Sequence, residues 1–103
     1  MQFIAIMKIR AETTKDKLMS LNVAETVKCC DMVKADILRA LWFLPGEPMP
    51  SGTVALMECT DQKEAESQCN ELPFIAHGVA SLELLPLKPC TAYELLFDSK
   101  HKP

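Results

Sequence analysis

Three segments of this 103-residue chain read as β-strands whose two faces are both apolar. In the first segment Phe3 and Met7 point to one face of the strand, whereas Ile4 points to the other. The segments 37–44 and 52–59 have the same two-sided character. A strand with one solvated face normally alternates apolar and polar residues. This pattern therefore predicts a sheet that is covered on both faces.

One cover has to come from outside the chain. The longest connection between predicted elements is the proline-rich loop Pro45–Ser51, which is too short to cover a sheet face. An open apolar face of this size exceeds what a soluble monomer usually exposes. The simplest cover is a second copy related by a two-fold axis. The sequence therefore predicts a homodimer or a larger ring of identical subunits.

The order of predicted elements indicates the fold class. Strands are predicted at residues 2–9, 37–44, 52–59, 79–87 and 91–97, and helices from about Thr13 to Lys34 and from Asp61 to Leu72. The first helical stretch could be one long helix or a short turn followed by three turns of helix. The order predicts an α+β, ferredoxin-like βαββαβ domain over residues 1–97 with an extra C-terminal strand. Residues 98–103 are expected to form a flexible tail.

The helical patterns predict which faces are buried and where the helices end. Val23, Val27 and Lys34 share one face of the first helix, together with Cys30. In the second helix, the predicted inner residues are Ala65, Cys69 and Leu72. Pro73 is predicted to end that helix.

Charge and cysteine usage exclude several classes of function. The net charge is −3 and no basic stripe with interleaved aromatic residues occurs, which argues against a nucleic-acid partner. No apolar run approaches the roughly 18 residues that a membrane span needs, and the start does not have the form of a signal peptide. Five cysteines without a C-x-x-C pair favour reduced, buried thiols in a cytoplasm and no metal site.

The chain contains three short motifs in this order: RALWFLPG at residues 39–46, ELPF at residues 71–74 and LELLPL at residues 82–87. Together they resemble motifs of the muconolactone isomerase family. The resemblance covers roughly residues 37 to 87. It implies a dimeric α+β barrel, often gathered into larger rings, with a small-molecule pocket between the sheet and the helices. It also implies an isomerase that shifts a double bond in a small lactone or oxygenated acid and uses no cofactor.

This chain departs from the family motif at two positions of the second predicted strand. The family usually has a histidine where Ala40 stands and an arginine where Phe43 stands. Loss of two polar groups from one strand argues against the same anionic substrate. It favours an alternative interpretation, a non-catalytic module of the same fold that binds a small ligand or serves in assembly.

Proton transfer along a carbon frame needs an acid, a base and a group that holds the substrate. His77 is a candidate catalytic residue, and the alternative is a loop histidine that faces solvent. Glu58 lies on the strand face expected to be buried, where it could be a base of raised pKa; alternatively it reaches water at the strand end.

Three further residues are candidates for ligand binding. Arg39 could clamp a carboxylate with its guanidinium group. Trp42 could form a pocket wall or, alternatively, anchor the core or an interface. Lys34 could bind an anion, although a favourable interaction with the helix C-terminus is the commoner role. If the chain is catalytic, we expect a closed pocket that holds at least one of His77, Glu58 and Arg39.

Overall fold

The computed structural model describes residues 1–97 and places four antiparallel strands in one sheet. The elements are β1 (Gln2–Ile9), α1 (Lys15–Lys34), β2 (Leu38–Leu44), β3 (Gly52–Glu58), α2 (Gln62–Asn70), α3 (Pro73–Ala76), β4 (Ala80–Pro86) and a 3₁₀ helix (Ala92–Phe97). The strand order is β2-β3-β1-β4. This order confirms the predicted ferredoxin-like fold. The predicted tail, residues 98–103, lies outside the described residues.

The core lies between the sheet and the helices. β1 is central and pairs with β3 on one side and with β4 on the other. Its helix-facing residues Phe3 and Ala5 are buried with Met57 of β3. From α2 the core receives Ala65 and Cys69, as the sequence predicts. The helices therefore cover one face of the sheet, and the opposite face is left without a cover from the described residues.

α1 is one unbroken helix, and its buried face differs from the predicted one. Its N-cap is Thr14, whose side-chain oxygen accepts a hydrogen bond from the Lys17 N–H (3.2 Å). The buried residues are Leu18, Glu25 and Met32, which are seven positions apart. The face of Val23, Val27, Cys30 and Lys34 is exposed, with Val23 75% accessible. Apolar residues occur all round this helix, so their spacing alone did not identify the inner face.

The segment around Pro73 starts a helix instead of only ending one. α2 begins at its N-cap Asp61, which accepts a hydrogen bond from the Glu64 N–H (2.8 Å), and ends at Asn70. Pro73 then occupies the first turn of the short helix α3. Proline is well suited to this position because the first N–H groups of a helix have no partner within the helix. This arrangement brings the N–H of Phe74 close to α1.

An irregularity in β2 changes which residues face the helices. Leu38 pairs with Met57, but Ala40 already pairs with Leu56, so Arg39 is an extra residue in the strand. After this point Leu41 pairs with helix-facing Ala55. As a consequence, Leu41 and Phe43 face the helices. Ala40 and Trp42 face the opposite side of the sheet.

The predicted C-terminal strand is wrong. Residues Ala92–Phe97 form a 3₁₀ helix in which every residue is exposed. Pro86 is the last residue of β4 and Pro89 follows three residues later. Proline cannot donate a hydrogen bond to a sheet ladder, and the Thr91 carbonyl accepts a turn hydrogen bond from the Glu94 N–H (3.0 Å). Across residues 1–97, no helix combines the length and the apolar character that crossing a membrane requires.

We expect Gly52→Ala to lower the free energy of unfolding by about 3 kcal/mol, as overpacking of a tight site does. A Cβ at Gly52 would overlap the Met7 carbonyl oxygen of the neighbouring strand, and this backbone cannot rotate away. Gly78→Ala is the comparison: its φ is 71° but no atom lies within 4 Å of the added carbon. That change should cost about 1 kcal/mol. Urea unfolding of both variants measures the difference, and equal losses would contradict the proposed overlap.

Candidate functional site

A cavity of about 240 Å³ lies between the sheet and α1. Its lining comprises Ala5 and Met7 of β1, Asn22, Glu25, Thr26, Cys29 and Met32 of α1, Leu38, Leu41 and Phe43 of β2, Thr53, Ala55 and Met57 of β3, Cys69 of α2, Leu72, Phe74 of α3 and Leu82 of β4. Most of these side chains are apolar. The polar ones are concentrated on α1, which forms one wall. The position agrees with the pocket that the sequence resemblance implies.

Among residues 1–97, Glu25 is the one charged residue that lines this cavity. Its spacing from Asn22 and Cys29, three and four positions respectively, puts all three side chains on the same face of α1. Glu25 is only 7% exposed. Burial among apolar groups raises its pKa above the ordinary value of a glutamic acid, and a backbone hydrogen bond partly offsets this effect.

The hydrogen bond to Glu25 comes from the start of α3. The Phe74 N–H donates to Glu25 Oε1 at 2.9 Å. This N–H lies in the first turn of α3, next to Pro73, where the helix itself supplies no acceptor. The bond links α1 to α3 and gives one carboxylate oxygen a fixed position. The site therefore holds an oriented carboxyl group in an apolar cavity, a combination suited to proton transfer.

Two thiols also line the cavity. Burial raises the pKa of Cys29 to about 11, and the nearby charges of Glu25 and Cys30 act in the same direction. Burial likewise raises the pKa of Cys69 to about 11. Because the thiolate is the reactive form of cysteine, both groups are unreactive thiols near neutral pH.

The cysteines of the chain are all free, but they are not all buried. Cys59 and Cys69 are buried, as predicted, and Cys29 is partly covered. Cys30 and Cys90 are exposed, so the prediction is wrong for these two.

Glu58 lies on the opposite face of the sheet from the cavity. It shares the face of Val54 and Leu56, whereas the helices cover Ala55 and Met57. Its Oε2 lies 2.6 Å from the N-terminal nitrogen. Hydrogen bonding to this amino group lowers the pKa of Glu58, and Arg39 adds to the effect. This direction is opposite to the raised pKa considered for a buried base.

Arg39 and Trp42 also lie away from the cavity. Arg39 is exposed and its Nε donates a hydrogen bond to the Asp36 carbonyl oxygen (2.6 Å). Trp42 pairs with Val54 on the uncovered face and is 56% exposed. Because of the irregularity at Arg39, Leu41 and Phe43 face the cavity, whereas Trp42 lies on the other face of the sheet.

His77 and Lys34 lie at the ends of helices. His77 is exposed and forms the C-cap of α3, where its N–H donates to the Pro73 carbonyl oxygen (2.9 Å). Lys34 is the exposed last residue of α1, the position at which a lysine interacts favourably with the helix C-terminus. The structure brings Arg39 and Glu58 near each other, but none of the five predicted residues lines the cavity. His77, Glu58 and Arg39 therefore lie outside the lining of this cavity, and the roles assigned to them from the sequence stay predictions.

Glu25 was missed by the sequence reasoning. One signal could have found it: Leu18 and Met32 lie seven positions before and after it, so Glu25 interrupts an apolar stripe. A charged residue is seldom buried without a specific partner. Here the stripe was obscured by Val23 and Val27 on the exposed side of the same helix.

We expect Glu25→Gln to raise the stability of the folded chain increasingly as pH rises. The pKa of Glu25 is higher in the folded state, so its ionisation costs stability between the ordinary pKa of glutamic acid and the raised value. Below that window the carboxyl is neutral in both states and the cost is absent. Cys29 and Cys69 titrate only at about 11 and do not interfere. Glu12→Gln, at an exposed glutamate, is the control. Urea unfolding over a pH series measures the effect, and parallel curves for the Glu25→Gln and native proteins would contradict it.

Comparison with known proteins identifies the fold. No protein-family model and no curated protein matches the sequence. A solved structure of 5-chloro-2-hydroxyhydroquinone dehydrochlorinase from Burkholderia phenoliruptrix, in complex with 2,5-dihydroxybenzoquinone, is 18% identical, with a TM-score of 0.73 over 87% of this chain and 96% of that chain. Muconolactone isomerase is 16% identical, with a TM-score of 0.71 over 89% of this chain and 93% of that chain. The chain therefore has the fold of muconolactone isomerase, as the sequence resemblance implies.

Proposed function

We propose that the chain is a cofactor-independent, isomerase-like enzyme that moves a proton on a small oxygenated ring compound, such as a lactone or a related oxygenated acid. The observation that carries the proposal is Glu25, a buried carboxyl group oriented by the Phe74 N–H inside an apolar cavity. Such a group can accept a proton from carbon and return it at another position. In this role Glu25 replaces His77 and Glu58, the residues predicted from the sequence.

The proposed step is a double-bond shift through an enolate. Glu25 accepts the proton from a carbon next to the ring carbonyl, and the electron pair of the broken C–H bond moves to the carbonyl oxygen. Glu25 then returns a proton to a different carbon, so no oxidant or reductant is consumed. Burial supports both halves of this step, because a carboxyl group whose pKa is raised toward neutrality is a better base and a ready acid.

The size of the cavity suits a single ring. Pockets for drug-sized ligands measure roughly 300–1,000 Å³, and this cavity of about 240 Å³ is smaller. A five- or six-membered ring with one or two small substituents is correspondingly small. The dehydrochlorinase of the same fold was solved with 2,5-dihydroxybenzoquinone, a compound with one ring. This agreement in size supports a small cyclic substrate for the chain.

We expect the protein to accelerate the double-bond shift of α-angelica lactone to its conjugated isomer, and Glu25→Gln to lower that rate by about 10²- to 10⁴-fold. Glutamine keeps an oxygen that can accept the Phe74 N–H but cannot carry the proton. Proton NMR in D₂O follows both the shift and the incorporation of deuterium. Glu12→Gln and His77→Ala, both at exposed positions, should keep the native rate. A Glu25→Gln variant as fast as the native protein, or no acceleration by the native protein, would contradict the proposal.

The second candidate is a non-catalytic module that binds a small apolar ligand. It is favoured by the mostly apolar lining and by the position of all five predicted site residues outside the cavity. Saturable lactone binding without any acceleration of the shift would identify this role. Both candidate functions therefore predict binding of a lactone, but only the enzyme predicts acceleration of the double-bond shift.

We further propose that the chain works as a homodimer or larger ring through the uncovered face of the sheet. That face carries Ile4, Ile6, Ala40, Trp42, Val54, Leu56 and Leu85. The apolar surface extends across all four strands, from Trp42 on β2 to Leu85 on β4. A second copy would bury it by symmetric contact of the same residues. The exposed large side chains of the 3₁₀ helix, Tyr93, Leu95, Leu96 and Phe97, offer further apolar surface to a neighbouring subunit.

We expect Trp42→Glu to weaken self-association by at least about tenfold, because it replaces a large, exposed aromatic side chain of this apolar face with a charge. Phe43→Glu is the matched control: the adjacent residue is 73% exposed but faces the cavity side. It should leave the oligomeric state unchanged. Sedimentation velocity over a concentration series measures the effect. A native protein that is monomeric at micromolar concentration, or equal effects of the two variants, would contradict the proposed interface.

The cellular compartment is also a proposal. The five cysteines are all free, and two of them are exposed. Exposed free thiols persist best in a reducing compartment. This supports a cytoplasmic protein.

A further inference from the structure

We infer that the cavity selects a neutral oxygenated ring and rejects the corresponding carboxylate. The inference rests on the proposed function, because it concerns the ligand of the same cavity. It narrows the substrate class to lactones, lactone esters, enones and hydroxylated rings without a free acid group. The observations that carry it are the charges of the lining and the positions of the nearby basic side chains.

No basic residue among those described contributes to the lining of the cavity. Its polar members are the Asn22 amide, the hydroxyls of Thr26 and Thr53, the two thiols and Glu25. A carboxylate entering this space would lose water and gain no opposite charge, which is unfavourable in an apolar site. If Glu25 is ionised the two negative charges also repel each other, and if it is protonated it still supplies no positive charge.

Lys28 of α1 does not line the cavity, and its ammonium group is paired elsewhere. Lys28 Nζ lies 2.6 Å from Glu71 Oε2 and 3.3 Å from Gln68 Oε1, both on the side of α2. Arg10 and Lys15 line a separate, open groove against the proline-rich loop. These contacts place the positive charges of this region outside the cavity.

A neutral ring finds suitable partners in the same cavity. The Asn22 amide can donate to a ring carbonyl, and Glu25 lies one helical turn further along the same face of α1. Leu41 and Phe43 of β2 provide apolar contact for the ring. The polar groups thus match an uncharged oxygen on an apolar ring, and they leave a full negative charge without a partner.

Muconolactone and its methyl ester are a matched pair that tests the inference, because they differ in one negative charge. Isothermal titration of the native protein should show that the ester binds at least about tenfold more tightly than the free acid. Equal binding, or tighter binding of the acid, would overturn the inference. It would leave the proposed function standing, because the lactone shift and its dependence on Glu25 are measured separately. No binding of either compound would overturn the inference as well.

A gain of charge tests the cause of the selectivity. Thr26→Arg adds a cation to the cavity wall, whereas Val27→Arg adds one to the exposed side of the same helix. Thr26→Arg should raise the affinity for the free acid at least about tenfold, because a guanidinium binds a carboxylate through two hydrogen bonds. Val27→Arg should leave it within about twofold of the native value. An unchanged affinity in Thr26→Arg, with the fold intact by circular dichroism, would overturn the inference.

Discussion

Apolar side chains on both faces of the central strands determine how the rest of this molecule is arranged. β1 pairs with both β3 and β4, so both of its edges are hydrogen-bonded. Because both of its faces are apolar, each face is stabilised by being covered. α1 and α2 follow strands and pack back on the same side of the sheet, which buries Phe3 and Met57. Residues 1–97 supply no second layer on the other side. The proposed self-association rests on this strand composition and on the one-sided packing of the helices.

The cavity arises from the way α1 meets this sheet. At the middle of its inner face α1 places Glu25, between the apolar Leu18 and Met32. A carboxyl group cannot fill an apolar core as a leucine would, and its burial is unfavourable without partners. The Phe74 N–H, available because α3 starts at Pro73, provides one such partner. A packing defect of this kind lowers stability and persists most readily where it serves a function.

The sequence allowed the sheet to be predicted better than the site. Glycine or proline marked the end of β2, the start of β3 and both ends of β4, and the order of strands and helices was enough to indicate the ferredoxin-like topology. The extra residue at Arg39 was not visible, because an irregular strand keeps the same composition as a regular one. The final segment had strand-like residues, but Pro86 and Pro89 direct it away from the sheet. Composition indicates which segments are apolar, whereas backbone hydrogen bonding determines whether such a segment joins the sheet.

Four of the five predicted site residues lie at or near the ends of their elements, which explains why they are outside the cavity, whereas Trp42 lies within β2 on the uncovered face. Lys34 and Glu58 are the last residues of their elements, His77 follows α3, and Arg39 lies near the start of β2. Ends of helices and strands are where long polar side chains reach water most easily. The cavity instead lies beneath the middle of α1, where a polar residue can enter only by interrupting the buried stripe of the helix. The acidic residue that lines the cavity is therefore the one between two apolar residues on that stripe, and the polar groups at the ends of strands and helices lie outside it.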